Sequence, residues 1–421
     1  MKILVVGSGG REHAIIKKLK ESKKVEEIFA LPGNGGMEKD ATCVAIGAKE
    51  IEKIRDFAVE NKISYAIVAP DDPLVLGAVD LLTEAGIPCF GPNKLAAEIE
   101  GSKVFSKNLM KKYNIPTADY QTFSNIEKAL NYLEKTNYPT VIKADGLALG
   151  KGVIIAENKE QAKNAINSIM QDKIFGNSGN NIVIEEFLTG PEVSVLAFTD
   201  GKTIVPMVSS MDHKRAGDGD TGLNTGGMGT IAPNPYYTQE IAKTCMEEIF
   251  IPTINAMNKE NRTFKGCLYF GLMLTEKGPK VIEYNCRFGD PETQVVLPLL
   301  ESDLLEIMMA TTNGTLKDVE VKFSNKNACC VVLASKGYPE KYEVGFEIKD
   351  NLNSSNVFYA GATLKDGKLL TKGGRVVGIT AIANTLSDAV KQAYTDAEKV
   401  NFENKYFRKD IGKRALMVKE N

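Results

Sequence analysis

VIEYNCRFGDPETQ, residues 281–294, is the segment from which the rest of the chain becomes readable. Its first part, Lys280–Asn285, has the apolar and aromatic content of a β-strand. Side chains on a strand return to the same face every second residue. Glu283, Asn285 and Arg287 therefore share one face, and Ile282, Tyr284 and Cys286 the other. A carboxylate and an amide oxygen are hard ligands suited to Mg²⁺, and a guanidinium just beyond them suits a phosphate. A divalent cation beside an Arg is one way to hold and polarise the terminal phosphates of ATP. The competing reading is a polar rim on an ordinary strand. The Arg-Phe-Gly-Asp-Pro-Glu-Thr run that follows weighs against it.

The chain has 421 residues, too many for one ordinary core, so two to four domains are expected. With 43% apolar residues and a formal net charge of −2, nothing points to a nucleic acid or membrane partner. Apolar runs such as Ile3–Val6 and Tyr65–Ala69 are too short to span a bilayer. The N-terminus passes directly into a strand, so no signal peptide is expected. Seven Cys without CxxC spacing suggest reduced thiols in a cytoplasm. Two His and scattered Cys give no zinc pattern.

Outward from the key strand, the N-terminal third alternates strands with helices. Lys2–Gly7, Ile28–Leu31, Tyr65–Ala69 and Pro88–Gly91 read as strands, and Ala14–Leu19, Ile51–Glu60 and Leu74–Glu84 as helices. That alternation predicts a doubly wound parallel sheet, with ligands at the carboxyl ends of its strands. A dinucleotide fold is rejected. After Gly7 and Gly9, Glu12 stands where the fingerprint needs a third Gly, and the second strand ends in Pro32-Gly33-Asn34 rather than an acid. The loop amides either cradle an anion or form a simple tight turn. Asp71, in Pro70-Asp71-Asp72-Pro73, can bind ribose hydroxyls, cap a helix, or both.

The central region opens with a helix, Val104–Tyr113, after Gly101-Ser102-Lys103. A strand, Thr140–Ala144, carries Lys143, and a glycine-rich turn carries Lys151. Gly152 stands where a Walker A loop has Ser or Thr, so this is not one. Two Lys on such a loop suit a lid closing over phosphates, or a hairpin with solvated Lys. Val183–Glu185 is a strand running into Glu186-Phe187-Leu188, with Glu192 beyond. Met211–Gly229, MDHKRAGDGDTGLNTGGMG, is too rich in Gly and charge for a core element, and a 19-residue irregular loop is expected. Its Asp212-His213-Lys214-Arg215 and Thr225-Gly226-Gly227 flanks can gather phosphates and carboxylates. Asn327–Asn421 reads as a small α+β unit with strands Ala328–Ala334, Val357–Ala360, Lys368–Leu370 and Arg375–Ala383, then a helix, Leu386–Val400. Within it, Lys372 and Arg375 form a cationic turn.

Glu283, Asn285 and the residues after them resemble the metal-binding strand of the ATP-grasp ligases. Within that superfamily the whole chain is similar to the glycinamide ribonucleotide synthetases. The resemblance implies three parts: an N-terminal α/β substrate domain (1–101), an ATP-grasp domain (102–326) with a mobile lid about 121–190, and a C-terminal α+β domain (327–421). It implies ATP as co-substrate, Mg²⁺ or Mn²⁺ on Glu283 and Asn285, and glycine and 5-phosphoribosylamine as small-molecule partners. A monomer or weak oligomer in the cytoplasm is expected.

The resemblance also implies roles. Lys103, Lys143 and Lys151 meet the phosphates. Glu185, Glu186 and Leu188 border adenine through the backbone, and Glu192 takes the ribose. His213 contacts nucleotide phosphate. Gly9, Gly10, Arg11, Glu12, Asn34 and Asp71 bind the ribosylamine, and Lys372 and Arg375 its 5′-phosphate. Asp212, Lys214, Thr225, Gly226 and Gly227 line the substrates. Arg287 and Lys151 stabilise the transferring phosphoryl, and Asp290 holds the glycine ammonium. Many ATP-grasp enzymes carry a second metal carboxylate on the preceding strand, but Cys267–Leu274 has none. That pattern argues against D-alanine ligases and biotin carboxylases.

Overall fold

Along the strand Lys2–Gly7, successive side chains enter opposite cores: Leu4 and Val6 pack on one face of a sheet, Ile3 and Val5 on the other. This two-sided burial is what a parallel sheet covered on both faces requires. In the computed structural model, which describes residues 1–147, 152–352 and 356–418, the sheet has five strands. Their order is Thr42–Cys43, Glu27–Pro32, Lys2–Gly7, Tyr65–Val68 and Cys89–Phe90, all parallel. The doubly wound reading therefore holds. The first helix starts earlier than expected, at Gly10, and runs to Leu19. The helix expected over 74–84 is two, Asp71–Leu76 and Ala78–Glu84. They are divided by Gly77 at φ 98°, a left-handed conformation that favours glycine.

Two antiparallel sheets follow. The smaller has the order Tyr120–Phe123, Ile182–Glu186, Thr140–Ala144, Val153–Ala156. With the helices Ile126–Tyr132 and Lys159–Ile166 it encloses a core of its own, which includes Ile142, Ala144, Ile166 and Ile184. The other has the order Ile204–Pro206, Glu192–Thr199, Gly266–Thr275, Gly278–Asn285. Its Val193, Phe270 and Tyr284 join the N-terminal core.

The segment 211–229 departs from its expected irregularity. Met211–Asp212 and Gly229–Ala232 are strands, and Arg215–Gly217 with Thr221–Asn224 is a hairpin. The first two strands pair into a six-stranded sheet with Asn327–Ser335, Arg375–Ala383, Val357–Tyr359 and Lys405–Tyr406. That sheet thus draws strands from both sides of residue 326 and packs on the helix Leu386–Ala397. No helix among the described residues is long and apolar enough to cross a membrane.

Candidate active site

The strand Gly278–Asn285 lies antiparallel to Gly266–Thr275, with an irregular register between Gly271 and Leu272. The irregularity is a β-bulge at Ile282. Bulges re-aim side chains and leave backbone groups unpaired. Here it takes Ile282 off the core face, which corrects the simple alternation read from sequence. Val281, Tyr284 and Cys286 are buried in the core instead. The freed Ile282 carbonyl accepts a hydrogen bond from Lys143 Nζ at 3.0 Å, joining the small sheet to the key strand. Glu283 and Asn285 remain half-buried beyond the bulge.

Glu283 faces Gly271, so the neighbouring strand offers it no second carboxylate. Lys214 Nζ lies 3.8 Å away. Burial alone would raise the Glu283 pKa, but Lys214, Lys143, Lys103 and Arg287 together hold it below the ordinary value. Glu283 is thus an ionised carboxylate among four cations. Asn285 Oδ1 accepts from Arg287 NH2 at 3.3 Å and keeps a second lone pair. Two hard oxygens fit Mg²⁺ when ligand oxygens complete its shell. No cluster of three His, Cys, Asp or Glu suited to a metal occurs among the described residues.

On the opposite wall, Glu185 is 4% exposed, with Oε2 3.0 Å from Lys143 and 3.2 Å from Lys107. Its backbone carbonyl accepts from Thr140 Oγ1 at 2.8 Å. The side chain, to which the sequence reading gave no role, is thus open to a ligand as well. Glu185 Oε1 has no partner, and an unpaired buried acceptor of this kind suits an incoming N–H donor. Lys107, unremarked in the sequence, is pushed down to about 8 by burial. Lys103 Nζ reaches Gly146 O at 3.1 Å. The Glu186 amide is taken by Asp119 O at 2.9 Å, and Leu188 lies just past the strand end. Glu192 Oε2 is 3.3 Å from Lys214. Lys151 lies outside the described residues.

Two amides of the glycine loop are taken from within. Gly9 N–H donates to Glu12 Oε2 at 2.6 Å and Arg11 N–H to Asp290 Oδ2 at 3.2 Å. A Cβ on Gly10 would run into the Gln294 amide, so this loop is a close-packed turn. Arg11 itself pairs with Glu12 at 2.6 Å and donates to Phe288 O at 3.0 Å. Asn34 is likewise corrected from ligand to clasp. Its Nδ2 donates to Ser8 O and Tyr359 O, and its Oδ1 accepts from Gly36 and Met37. Asp71 does face the site. Burial raises its pKa, but Arg287 and Arg11 outweigh that and hold it low. Pro70, not Asp71, occupies the N-cap position. Arg287 is clamped by Glu100, also missed in the sequence, at 2.9 Å, and its buried Nε has no partner.

Four further expectations change. His213 is 1% exposed, donates from Nδ1 to Gly229 O and accepts Gly412 N–H at Nε2, each at 3.1 Å. It is a buried structural residue, not a phosphate contact. Gly226 N–H is taken by Tyr338 Oη and Gly227 N–H by Thr225 Oγ1, so that run is also closed. Asp290 accepts from Gln294 Nε2 at 2.9 Å as well as from Arg11, with Arg375 NH1 at 3.4 Å, so three donors within the fold already engage it. Arg375 spends NH1 on Gly226 O (2.7 Å) and Asp290 O (2.8 Å), making it a strut, while Lys372 is the exposed cation of that turn. Asp212 Oδ1 accepts the His213 N–H at 2.7 Å. Burial and then the neighbouring Glu292 push the Asp212 pKa well up.

The two antiparallel sheets that face each other across the strand Gly278–Asn285, with the matching domain model, place the chain in the ATP-grasp class. Family models of phosphoribosylglycinamide synthetase match throughout: the N domain at residues 1–100, the ATP-grasp (A) domain at 101–293 and the C domain at 328–414. A phosphoribosylamine–glycine ligase of Caldanaerobacter subterraneus subsp. tengcongensis is 49% identical over 98% of this chain and 99% of its own. One from Clostridium acetobutylicum is 49% identical over 98% and 100%. The crystal structure of the Thermotoga maritima phosphoribosylamine–glycine ligase superposes with a TM-score of 0.86 at 36% identity, covering 98% of this chain and 100% of that one. The chain belongs to the phosphoribosylglycinamide synthetase family.

Proposed function

We propose that this chain is an ATP-dependent ligase joining glycine to 5-phosphoribosylamine, giving glycinamide ribonucleotide, ADP and phosphate, a step of purine biosynthesis in the cytoplasm. The observation that carries it is the ionised Glu283 among Lys214, Lys143, Lys103 and Arg287, at the joint between the two antiparallel sheets. A carboxylate does not acylate an amine unaided, because its oxygen is a poor leaving group. The glycine carboxylate oxygen attacks the γ-phosphorus of ATP, the bond to the bridging oxygen breaks, and ADP leaves. The neutral ribosylamine nitrogen then attacks the carbonyl carbon of glycyl phosphate. The C–N bond forms, phosphate departs, and the nitrogen loses its proton.

Such chemistry needs positioning and charge neutralisation rather than a side-chain nucleophile. Glu283 and Asn285 would hold Mg²⁺ or Mn²⁺, which when bound neutralises charge on the phosphate oxygens. Lys103 and Lys143 meet the phosphates, and Glu185 Oε1 accepts from the adenine amine. Glu192 orients the ribose. Arg287, steadied by Glu100, and Lys214 face the reacting groups. Asp71 and Lys372 bind the ribosylamine. Asp212, rather than Asp290, takes the glycine ammonium, since a cation there would offset the repulsion between half-buried Asp212 and Glu292 while Asp290 already accepts from three donors. Closure of the small sheet would keep water from the acyl phosphate.

The test is ADP release with Mg·ATP and glycine, with and without ribosylamine formed in situ from ribose 5-phosphate and ammonia. Release that needs both substrates, with glycinamide ribonucleotide seen by mass spectrometry, is the expected result. Release only with another acid or amine would replace the substrate assignment. Tight ATP binding without turnover would make the chain a nucleotide-binding scaffold.

A further inference from the structure

Lys214 stands in the cleft, yet the residues on both sides of it are fixed by the far end of the chain. Before it, His213 Nε2 accepts the Gly412 N–H at 3.1 Å. After it, Arg215 O accepts from Arg408 NH1 at 3.0 Å. Arg408 is 1% exposed and uses its whole fork: Nε and NH2 donate to Asp410 at 2.8 Å each, and NH1 also reaches Asp220 at 3.0 Å. More bonds sew the same two segments together. Gly219 N–H donates to Asp410 at 2.8 Å, Lys409 N–H to Asp218 at 2.7 Å, and Tyr406 Oη to Ala216 O at 2.8 Å. From behind, Tyr394 Oη donates to Arg408 O at 2.8 Å and accepts Ile411 N–H at 2.9 Å.

A hairpin with no task beyond turning the chain would not need a buried guanidinium. Burying one carries a desolvation penalty that only full pairing offsets, and registry is the best-attested reason to keep such a group. Lysine is a point charge on a flexible stem, so its aim depends on where the backbone holds it. Here the chain is held through the His213 ring before Lys214 and through the Arg215 carbonyl after it. Lys214 Nζ then falls 3.3 Å from Glu192 and 3.8 Å from Glu283. Thr225 fixes the Lys214 carbonyl as well, through its N–H at 2.7 Å and its hydroxyl at 2.9 Å.

We propose that Tyr406–Arg414 is a clamp that positions Lys214, with Arg408 as its anchor. The C-terminal segment thereby sets the aim of a cation in the ATP-grasp cleft without touching a substrate. This rests on the reading of Lys214 as a substrate contact.

A double-mutant cycle on the full chain tests it. Arg408→Ala should lower kcat/KM for glycine by about 10- to 100-fold, the loss that a misplacement near 1 Å can bring. In a Lys214→Met background the same change should add almost nothing, because residues acting through one group are not additive. Arg408→Lys, which keeps the charge but presents its donors from a single nitrogen, should recover part of the loss. Tyr394→Phe should give a smaller loss, again absent without Lys214, and it decides the matter if Arg408→Ala does not fold. Additive losses, or a loss matching the unfolded fraction in a melting curve, would overturn the clamp. If the wild type releases no ADP with glycine, the functional reading is at fault. The cycle is then read on Mg·ATP affinity, where additivity again counts against the clamp and non-additivity for it.

Discussion

Glu283 is the only carboxylate that either strand of its pair turns toward the proposed metal, since Gly271 lies opposite. Glu283→Gln keeps the shape and removes the charge. It should raise the Mg²⁺ concentration for half-maximal turnover by at least about 100-fold, more than is usual for an outer-shell partner. An unchanged metal titration would take Glu283 out of that role. His213 makes a different prediction, about stability. Burial holds its pKa at about 4 in the folded chain, with Arg408 and Arg414 adding to the effect, against an ordinary 6.5. Above pH 6.5 both folded and unfolded forms are neutral and the native bonds to Gly229 and Gly412 are intact. As pH falls from 6.5 toward 4 the unfolded chain takes the proton first, so stability is lost across that window. The loss amounts to about 3 kcal/mol at the acid end. Melting temperatures from pH 7.5 to 4.5 should show the decline, and His213→Gln should flatten part of it. Buried His13, also held below its ordinary value, acts in the same direction. A slope identical in wild type and variant would mean His213 does not titrate as a buried group.

At the scale of elements, the turn Thr225-Gly226-Gly227 matters through packing rather than through open amides. Gly227 sits at φ 115°, and a Cβ there would overlap Pro291 and come within 2.6 Å of Asp212 Oδ1. Gly227→Ala should destabilise the fold by about 1–3 kcal/mol, the usual scale for strain at such a position. It should also weaken glycine binding, because Asp212 must move. Thermal melts and the glycine KM check both, and an unaffected KM would separate Asp212 from glycine.

What the sequence disclosed at this scale was local. Strand periodicity found Lys2–Gly7, Thr140–Ala144 and Arg375–Ala383 because each element's pattern lies within itself. It missed the bulge at Ile282, since a bulge depends on the partner strand's register. It left 211–229 irregular because these short strands are held in place from a hundred or more residues onward: Gly229–Ala232 pairs with Asn327–Ser335, and the hairpin is bonded by Tyr406 and Arg408. Side-chain identity and the family resemblance marked Glu283, Asn285, Lys103, Lys143 and Asp71 as candidate site residues. It could not reveal that Asn34, His213, Asp290 and Arg375 are engaged by partners within the fold. Those partners are set by tertiary packing alone. Lys107, Glu100 and Arg408 were missed for the same reason, being ordinary helix or loop residues until the fold buries them.

For the molecule as a whole, the division of the cores is the informative feature. The small sheet and its two helices share a core of their own, while the key strand packs into the N-terminal core. The two are bridged by polar contacts, among them Lys143 to Ile282 O, Lys107 to Glu185, Ser102 Oγ to Asp145 Oδ1 and the Lys280–Glu186 pair. Units with separate cores open separately, with free energies below that of global unfolding. Amide exchange in Thr140–Ala144 and Ile182–Glu186 should therefore be faster, without ligand, than in Lys2–Gly7 or Asn327–Ser335. Mg·ATP would change this, because it is proposed to bind Lys143 and Glu185 on one side and Glu283 on the other. A ligand that bridges two units favours the state in which both are formed. At 100 times its Kd it adds about 2.7 kcal/mol to that state. Exchange in the small sheet should then slow by about a hundredfold, while the N-terminal sheet changes little. Glu283→Gln should abolish this Mg²⁺-dependent protection while leaving exchange in the free protein as it was. Equal slowing in all sheets would mean that the molecule opens as one unit and that the nucleotide does not act by joining two.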